Sequence, residues 1–504
     1  MTSTAFAPPS SFALRHNHGE ALLHAGVAIV IVIASVSSFA VSTTFGIAAT
    51  FAMTLLAAIV LPAGIPFLIA TSFLFQNAVI AWYTPLIPDT QTFDAMRGAN
   101  FVMLMTAFAA FLAASFQVRV RGIQPLRPWL IGGIVLTGAV TFYLGLGIVR
   151  GVPQDAIVYF RNTITPIACF YVAITAASVY RVDFRRTVLW LGTAAIIYGY
   201  LELFFAMDFL SLFHGDDYIR QTIWRQIQTG MWEKALRDTG FVLRGLEDVM
   251  TTNVFNLPIL GNVFPKVFRI GGPNFHSIAF AYALSVMSIW LLFNKRWLLP
   301  LAALPLLLVI GSKGAMIMLL MAMFVRVAIV VVGPRLTLIL TCILAAGWVV
   351  AAVAFGMRTG DYHVLGFFAG LDGFAHNPLG QGLGFGGNLS STAVNINWDL
   401  AQAEGVAGTP MESAIGVMLY QMGVGSFVFL GFLALLARAS WRAFRESGNT
   451  SILFLFVAVV TISANAVLQE EAYFSPLALG FCLLLGGVAL GSYWNPALKN
   501  ETAK

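Results

Sequence analysis

Ala375-His376-Asn377-Pro378-Leu379-Gly380-Gln381-Gly382-Leu383-Gly384-Phe385-Gly386-Gly387-Asn388 is the stretch on which the reading of this chain turns. It lies in a polar, Gly-rich interval, 357–410, within a chain that is otherwise a succession of apolar runs. Irregular backbone at membrane depth is tolerated only where protein buries it or where it lines a wet cavity. The interval is therefore expected to roof an active site, and the runs on either side of it to be membrane spans.

Composition supports that division. The chain has 504 residues, of which 59% are hydrophobic and only 10% charged. A soluble chain carries about a quarter charged residues. The apolar runs here have the ~20-residue length that crosses roughly 30 Å of hydrocarbon. The expected fold is an all-α polytopic membrane protein. The net charge of +6 is no nucleic-acid signal, because Lys and Arg cluster between spans. Cys169, Cys342 and Cys482 lie in apolar runs and offer neither a disulfide framework nor metal-ligand spacing. The polar N-terminus, with Arg15, leads from one apolar run straight into a second, as a signal anchor does and a cleaved peptide does not.

Fourteen candidate spans fall near 23–42, 44–61, 64–82, 98–117, 129–149, 163–180, 187–206, 275–293, 297–312, 314–332, 336–356, 411–436, 451–468 and 475–493. Basic residues set their orientation. Arg119, Arg121 and Arg127, then Arg181, Arg185 and Arg186, then Lys295 and Arg296, then Arg335, then Arg438, Arg442 and Arg445 all occupy loops on one side. With a cytoplasmic N-terminus that side is the inside. Opposite loops are acidic or mixed: Asp89 and Asp94 with Arg97, Arg150 and Arg161 with Asp155, and Glu470 and Glu471, which read as a solvated turn.

The organisation that follows is an N-terminal bundle over 1–206, a long outward loop over 207–274, and spans with a hairpin over 275–356. The Gly-rich loop, 357–410, and C-terminal spans, 411–504, complete it. Within the first loop, Ile219, Ile223, Ile227, Met231 and Trp232 recur at helical spacing between Asp217 and Leu236. That pattern fits a helix at the membrane interface or capping the bundle, and equally an ordinary packed helix.

Ionisable residues at membrane depth are costly and so are functional candidates. Arg269 stands in Phe268-Arg269-Ile270-Gly271-Gly272-Pro273-Asn274, where the first loop enters a span. Lys313 stands in Gly311-Ser312-Lys313-Gly314, at a hairpin tip; His376 lies in the Gly-rich stretch, and Glu412 opens a span. Glu202 and Arg326, near span ends, and Asn465 are the mild exceptions to otherwise uncharged spans. Each has a plainer reading: Arg269 and Lys313 as cations snorkelling to headgroups, Glu412 as an acid complementing a helix dipole, His376 as a satisfied loop polar group. The alternating glycines either permit tight turns against the bundle or present backbone N–H groups to phosphate. No strand precedes them, so they are not a dinucleotide fingerprint.

These motifs, taken in order with Glu412-Ser413 leading a span that contains Gly423-Val424-Gly425, resemble the O-antigen polymerase/ligase superfamily over roughly 265–440. Lys313 stands where that family more usually has Arg, which weakens a bidentate phosphate grip. The resemblance implies a GT-C-like bundle of about 14 helices with two long outward loops. It implies a glycosyltransferase in the bacterial inner membrane, with its site facing the periplasm. The substrate would be an undecaprenyl (polyprenyl) diphosphate-linked oligosaccharide, and the partners the lipid bilayer, a flippase and a chain-length regulator, with no nucleic acid.

The departing diphosphate gathers negative charge, which Arg269 and Lys313 would stabilise. The attacking hydroxyl needs a base or orienter, which the resemblance places at His376, with Glu412 second. Asn274, Asn377, Gly382 and Gly384 would line the substrate. No Asp-x-Asp pair marks a sugar-nucleotide metal, so no metal and no cofactor are expected. The resemblance implies a polysaccharide polymerase that moves the glycan from polyprenyl diphosphate to the non-reducing end of another lipid-linked repeat unit. That reading has two rivals: a ligase moving finished glycan to lipid A-core or protein, and a secondary transporter, whose charges belong nearer the midplane.

The orientation is testable directly. A reporter active only outside the cytoplasm, fused within 207–274 or 357–410, is expected to be active, and one fused after Arg438 inactive; the reverse pattern contradicts the assignment.

Overall fold

The computed structural model describes residues 18–87, 89–117, 120, 122–228, 246, 250–252, 254, 266–391, 398–405 and 407–497. Among these, eleven helices are long and apolar enough to cross a membrane, and three shorter apolar helices, Ser277–Phe293, Leu298–Ile310 and Thr450–Asn465, join them. The only strands among the described residues are Thr251–Thr252 and Val267–Phe268, paired antiparallel. The chain is an all-α polytopic membrane protein. The basic residues Arg119 and Arg121, the N-terminus through Asn17, and residues 229–236 of the first-loop helix lie outside the described residues.

Burial runs opposite to that of a water-soluble protein. Helix Gly333–Thr359, among the most apolar, is only 11% buried over its core window, whereas Pro153–Val179, the least apolar span, is 94% buried. Ile339, Ile343, Val350 and Phe355 face outward from the first of these. Hydrocarbon around the protein makes exposed apolar surface cheap and reserves the interior for polar side chains.

The contacts divide the chain into two interleaved units. The first comprises Met1–Phe111, Val182–Met287 and Trp297–Met316. Its core joins Val36 and Phe39 of His18–Phe39, Ile80 and Ala81 of Ile65–Tyr83, Phe93 and Met96 of Thr90–Arg97, and Leu210. Helix Gly215–Gln228 packs Tyr218 and Ile219 into this cluster. The start of this helix is thus packed against spans of the same unit.

The second unit comprises Leu112–Arg181, Ser288–Arg296 and Ile317–Lys504. Its central post is Pro153–Val179, against which Phe481–Trp494 lies closely. A Cβ on Gly487 would come within 2.8 Å of the Phe170 carbonyl, and one on Gly491 within 2.7 Å of that of Ile174. Small residues let backbones approach where no water is available to drive association.

Two features of this unit depart from the sequence expectation. The interval 357–410 is not continuously irregular: Tyr362–His376 is a helix of 15 residues, begun by Asp361, whose Oδ1 accepts the His363 N–H at 2.9 Å. It docks on Ala414–Met422 through glycine. A Cβ on Gly370 would stand 2.3 Å from the Gly416 Cα, and one on Gly366 would meet the Met411 carbonyl. The run expected as one span over 411–436 is two helices, Ala414–Met422 and Gly425–Ser447, broken at Gly423 (φ 48°, ψ −126°). The break frees the Val424 N–H, which donates to the Pro378 carbonyl at 2.8 Å.

Gly370→Val inserts a branched side chain into backbone contact. It is expected to destabilise the protein by ~1–3 kcal/mol or more and to lower the unfolding temperature in detergent. Gly347→Ala, whose Cβ meets nothing within 4 Å, is expected to leave that temperature unchanged.

Candidate active site

The Gly-rich stretch crosses the second unit in contact with backbone at nearly every step. Gly380, Gly382, Gly384, Gly386 and Gly387 all have φ between 69° and 95°. Such dihedrals are routine only for glycine. A Cβ on Gly382 would stand 2.6 Å from the Gly147 nitrogen, and one on Gly384 2.5 Å from that of Ala156. The N–H groups are taken as well: Gln381 donates to the Tyr420 carbonyl at 2.9 Å, Gly382 to Gln421 at 2.8 Å, Leu383 to Tyr143 at 3.0 Å and Gly387 to Pro410 at 2.8 Å. Arg150 donates to the Gly380 carbonyl at 3.0 Å. Gly382 and Gly384 are the two glycines expected to line the substrate. Both are buried against helix backbone, and their role is close packing.

Beyond the glycines the chain is held by acids. Glu470 lies in the turn between Thr450–Asn465 and Glu471–Phe474. Its Oε1 accepts the Tyr159 hydroxyl at 2.6 Å and its Oε2 the Asn388 N–H at 2.8 Å. The Tyr159 hydroxyl in turn accepts the Leu389 N–H at 3.2 Å. One helical turn away, Asp155 Oδ2 accepts the Ser391 N–H at 2.9 Å and the Ser391 hydroxyl at 2.7 Å. Glu470 is buried, not part of a solvated turn. Burial pushes its carboxyl up to about 7, against the pull of its Tyr159 and Asn388 hydrogen bonds.

Glu412 stands beside this latch. The Ser413 N–H donates to the Met411 carbonyl at 2.7 Å, closing a three-residue turn around Glu412, whose φ is +61°. A non-glycine residue there costs on the order of 1–3 kcal/mol, which the surrounding fold must offset. Ser413 then caps Ala414–Met422, its Oγ accepting the Gly416 N–H at 3.1 Å. The half-buried Glu412 carboxylate lies 3.7 Å from His363 Nδ1 and takes a hydrogen bond from the Asn388 side chain. Burial raises its affinity for a proton; His363 opposes this, while Glu471 and Asp361 add to it.

His376 ends helix Tyr362–His376 with its ring exposed. Nδ1 lies 2.9 Å from the Asp372 carbonyl. That contact fits the tautomer with the proton on Nδ1 and leaves Nε2 as the open acceptor. Asn377 is turned inward on its own loop, Nδ2 donating to the Gly380 carbonyl at 3.1 Å.

Arg269, Asn274 and Lys313 belong to the first unit. The Arg269 N–H donates to the Met250 carbonyl at 2.6 Å. The turn that follows is gripped by Glu202, fully buried in Phe184–Ser211, whose two oxygens accept the N–H groups of Gly271 and Gly272, each at 2.8 Å. Asn77 Nδ2 donates to the Asn274 carbonyl at 2.9 Å. The Asn274 side chain is buried. Lys313 is exposed at the start of Lys313–Val331, after Gly311 ends the preceding helix in a left-handed cap. Ser285 Oγ donates to the Ala315 carbonyl at 2.7 Å, which docks this helix start on Ser277–Phe293, about two turns past Ser277.

Reading the sequence alone passed over His363, Tyr159 and the clamping roles of Asp155, Glu202 and Glu470. The available signal was an acid in an otherwise apolar context, which Glu202 supplied. Among the described residues no three His, Cys, Asp or Glu side chains are grouped to hold a metal ion.

Compared with family models, curated proteins and solved structures, the chain has no significant match. Glu470 carries a pH signature of its own. Its carboxyl titrates near 7 when folded, against 4.5 for the unperturbed group. Between those values the folded chain binds more protons than the unfolded one, so stability falls as pH rises. The fall amounts to on the order of 3 kcal/mol across the window. The unfolding temperature is expected to drop from pH 5 to pH 7.5, and Glu470→Gln to flatten that slope.

Proposed function

We propose that this chain is a polysaccharide polymerase of the bacterial inner membrane, a GT-C-like glycosyltransferase of about 14 spans whose site faces the periplasm. It transfers a growing glycan from polyprenyl diphosphate to the non-reducing-end sugar of a second lipid-linked repeat unit. The observation that carries the reading is Glu412. It is a carboxylate on a strained turn, half-buried and proton-seeking, held beside His363 at the edge of the Gly-rich segment. Strain and a raised proton affinity converge where chemistry needs them.

The reaction makes three demands. The acceptor hydroxyl must lose a proton, and Glu412 and the open Nε2 of His376 are the groups suited to take it or to orient it. The leaving diphosphate needs fixed cations, the role assigned to Arg269 and Lys313. The sugars need a rigid polar floor. The latched segment from Gly387 to Ser391, with Asn388 and Leu389 exposed, supplies one.

In a strain lacking this gene, plasmid-borne wild type is expected to restore polymer. Arg269→Ala and His376→Ala are each expected to cut it ~100-fold or more with normal membrane insertion. Polymer of normal yield and length from Arg269→Ala removes that residue from the site.

A further inference from the structure

The side chain facing Glu412 has no role in the account so far. His363 is the second residue of helix Tyr362–His376, so its backbone is fixed by the Asp361 cap. The packing of Gly366 on the Met411 carbonyl fixes the helix against the turn that carries Glu412. The imidazole lies against Tyr362, ring centroids 4.5 Å apart. Among the described residues its buried Nδ1 has no hydrogen-bond partner, and Glu412 Oε2 lies 3.7 Å away. A polar atom buried without a hydrogen bond is costly, and a native fold retains one where its position is used. The gap is slightly longer than a hydrogen bond, as in catalytic pairs that tighten when substrate arrives.

We propose that Glu412 is the base of the transfer reaction and that His363 is its positioning residue, holding the carboxylate on the strained turn and stabilising its ionised form. This rests on the glycosyltransferase reading above. In the step, the acceptor hydroxyl oxygen bonds to the anomeric carbon of the donor sugar. The bond from that carbon to the diphosphate oxygen breaks, and its electron pair leaves with polyprenyl diphosphate. The hydroxyl proton passes to Glu412 Oε2 and from there to solvent. His363 carries no proton of the reaction; it fixes where the receiving oxygen stands.

The other titratable groups around Glu412 are Asp361 on the His363 helix and Glu470 and Glu471 from the turn beyond Thr450–Asn465. All three are acids. Among the described residues, His363 is thus the titratable neighbour that favours the carboxylate, beside the Asn388 hydrogen bond. Its loss leaves Glu412 among like charges and shifts its ionisation to higher pH.

Two measurements on the full-length protein in lipid nanodiscs test this. The first is an infrared titration of the protonated-carboxyl band that Glu412→Gln abolishes. His363→Gln is expected to move its midpoint to higher pH, whether or not substrate is present. The second is turnover of a synthetic polyprenyl diphosphate-linked repeat unit across pH. His363→Gln is expected to lower kcat about tenfold, shift the acid limb upward and leave KM unchanged. The double variant is expected to be no slower than Glu412→Gln alone. An unmoved carboxyl midpoint, or single-variant losses that multiply in the double variant, overturns the pairing while wild-type turnover keeps the glycosyltransferase reading. Absence of turnover by wild type, with the midpoint shift present, overturns the reaction and leaves the pair as a structural one.

Discussion

A peptide group that leaves a helix at membrane depth must find its partner within the protein, and most of what is distinctive in this chain follows from that requirement. Both irregular segments answer it with acids that accept backbone N–H groups. In the first unit Glu202 holds Gly271 and Gly272. In the second, Glu470 holds Asn388 while Asp155 holds Ser391. A carboxylate suits this task because it only accepts and has two oxygens to offer. Burial disfavours its charge, and the hydrogen bonds it accepts oppose that cost without cancelling it, as the raised Glu470 carboxyl shows.

Glycine is the complementary half of the device. A Cβ on Gly382 or Gly384 would strike helix backbone, and the N–H groups of Gln381, Gly382 and Leu383 reach helix carbonyls. The helix break at Gly423 extends the arrangement by giving Pro378 an N–H to accept. The strained turn at Glu412 lies beside this closely packed segment, its side chain accepting a hydrogen bond from Asn388.

How far the sequence was legible follows from range. Spans were legible because twenty apolar residues in a row have one physical meaning, and the Gly-rich stretch stood out by composition. Helix Tyr362–His376 was not, since Gly366, Gly370 and Gly373 disguise an apolar face made for backbone contact. The clamps were hidden by distance: Tyr159 and Glu470 are 311 residues apart, Glu202 and Gly271 are 69. His363 gave no sign at all, because its significance comes from a partner 49 positions away, brought near by docked glycines. The candidates drawn from the resemblance fared unevenly. His376 and Lys313 are exposed. Gly382, Gly384 and Asn274 are buried.

The central claim is that a glycan leaves polyprenyl diphosphate and joins a second lipid-linked unit. Purified wild-type protein, given a synthetic lipid-linked repeat unit with EDTA and no nucleotide sugar, measures this directly by mass spectrometry. The account predicts a ladder of oligomers, with one free polyprenyl diphosphate released for each linkage formed. Unchanged substrate, with neither oligomer nor free diphosphate across acceptors that include lipid A-core, would contradict it.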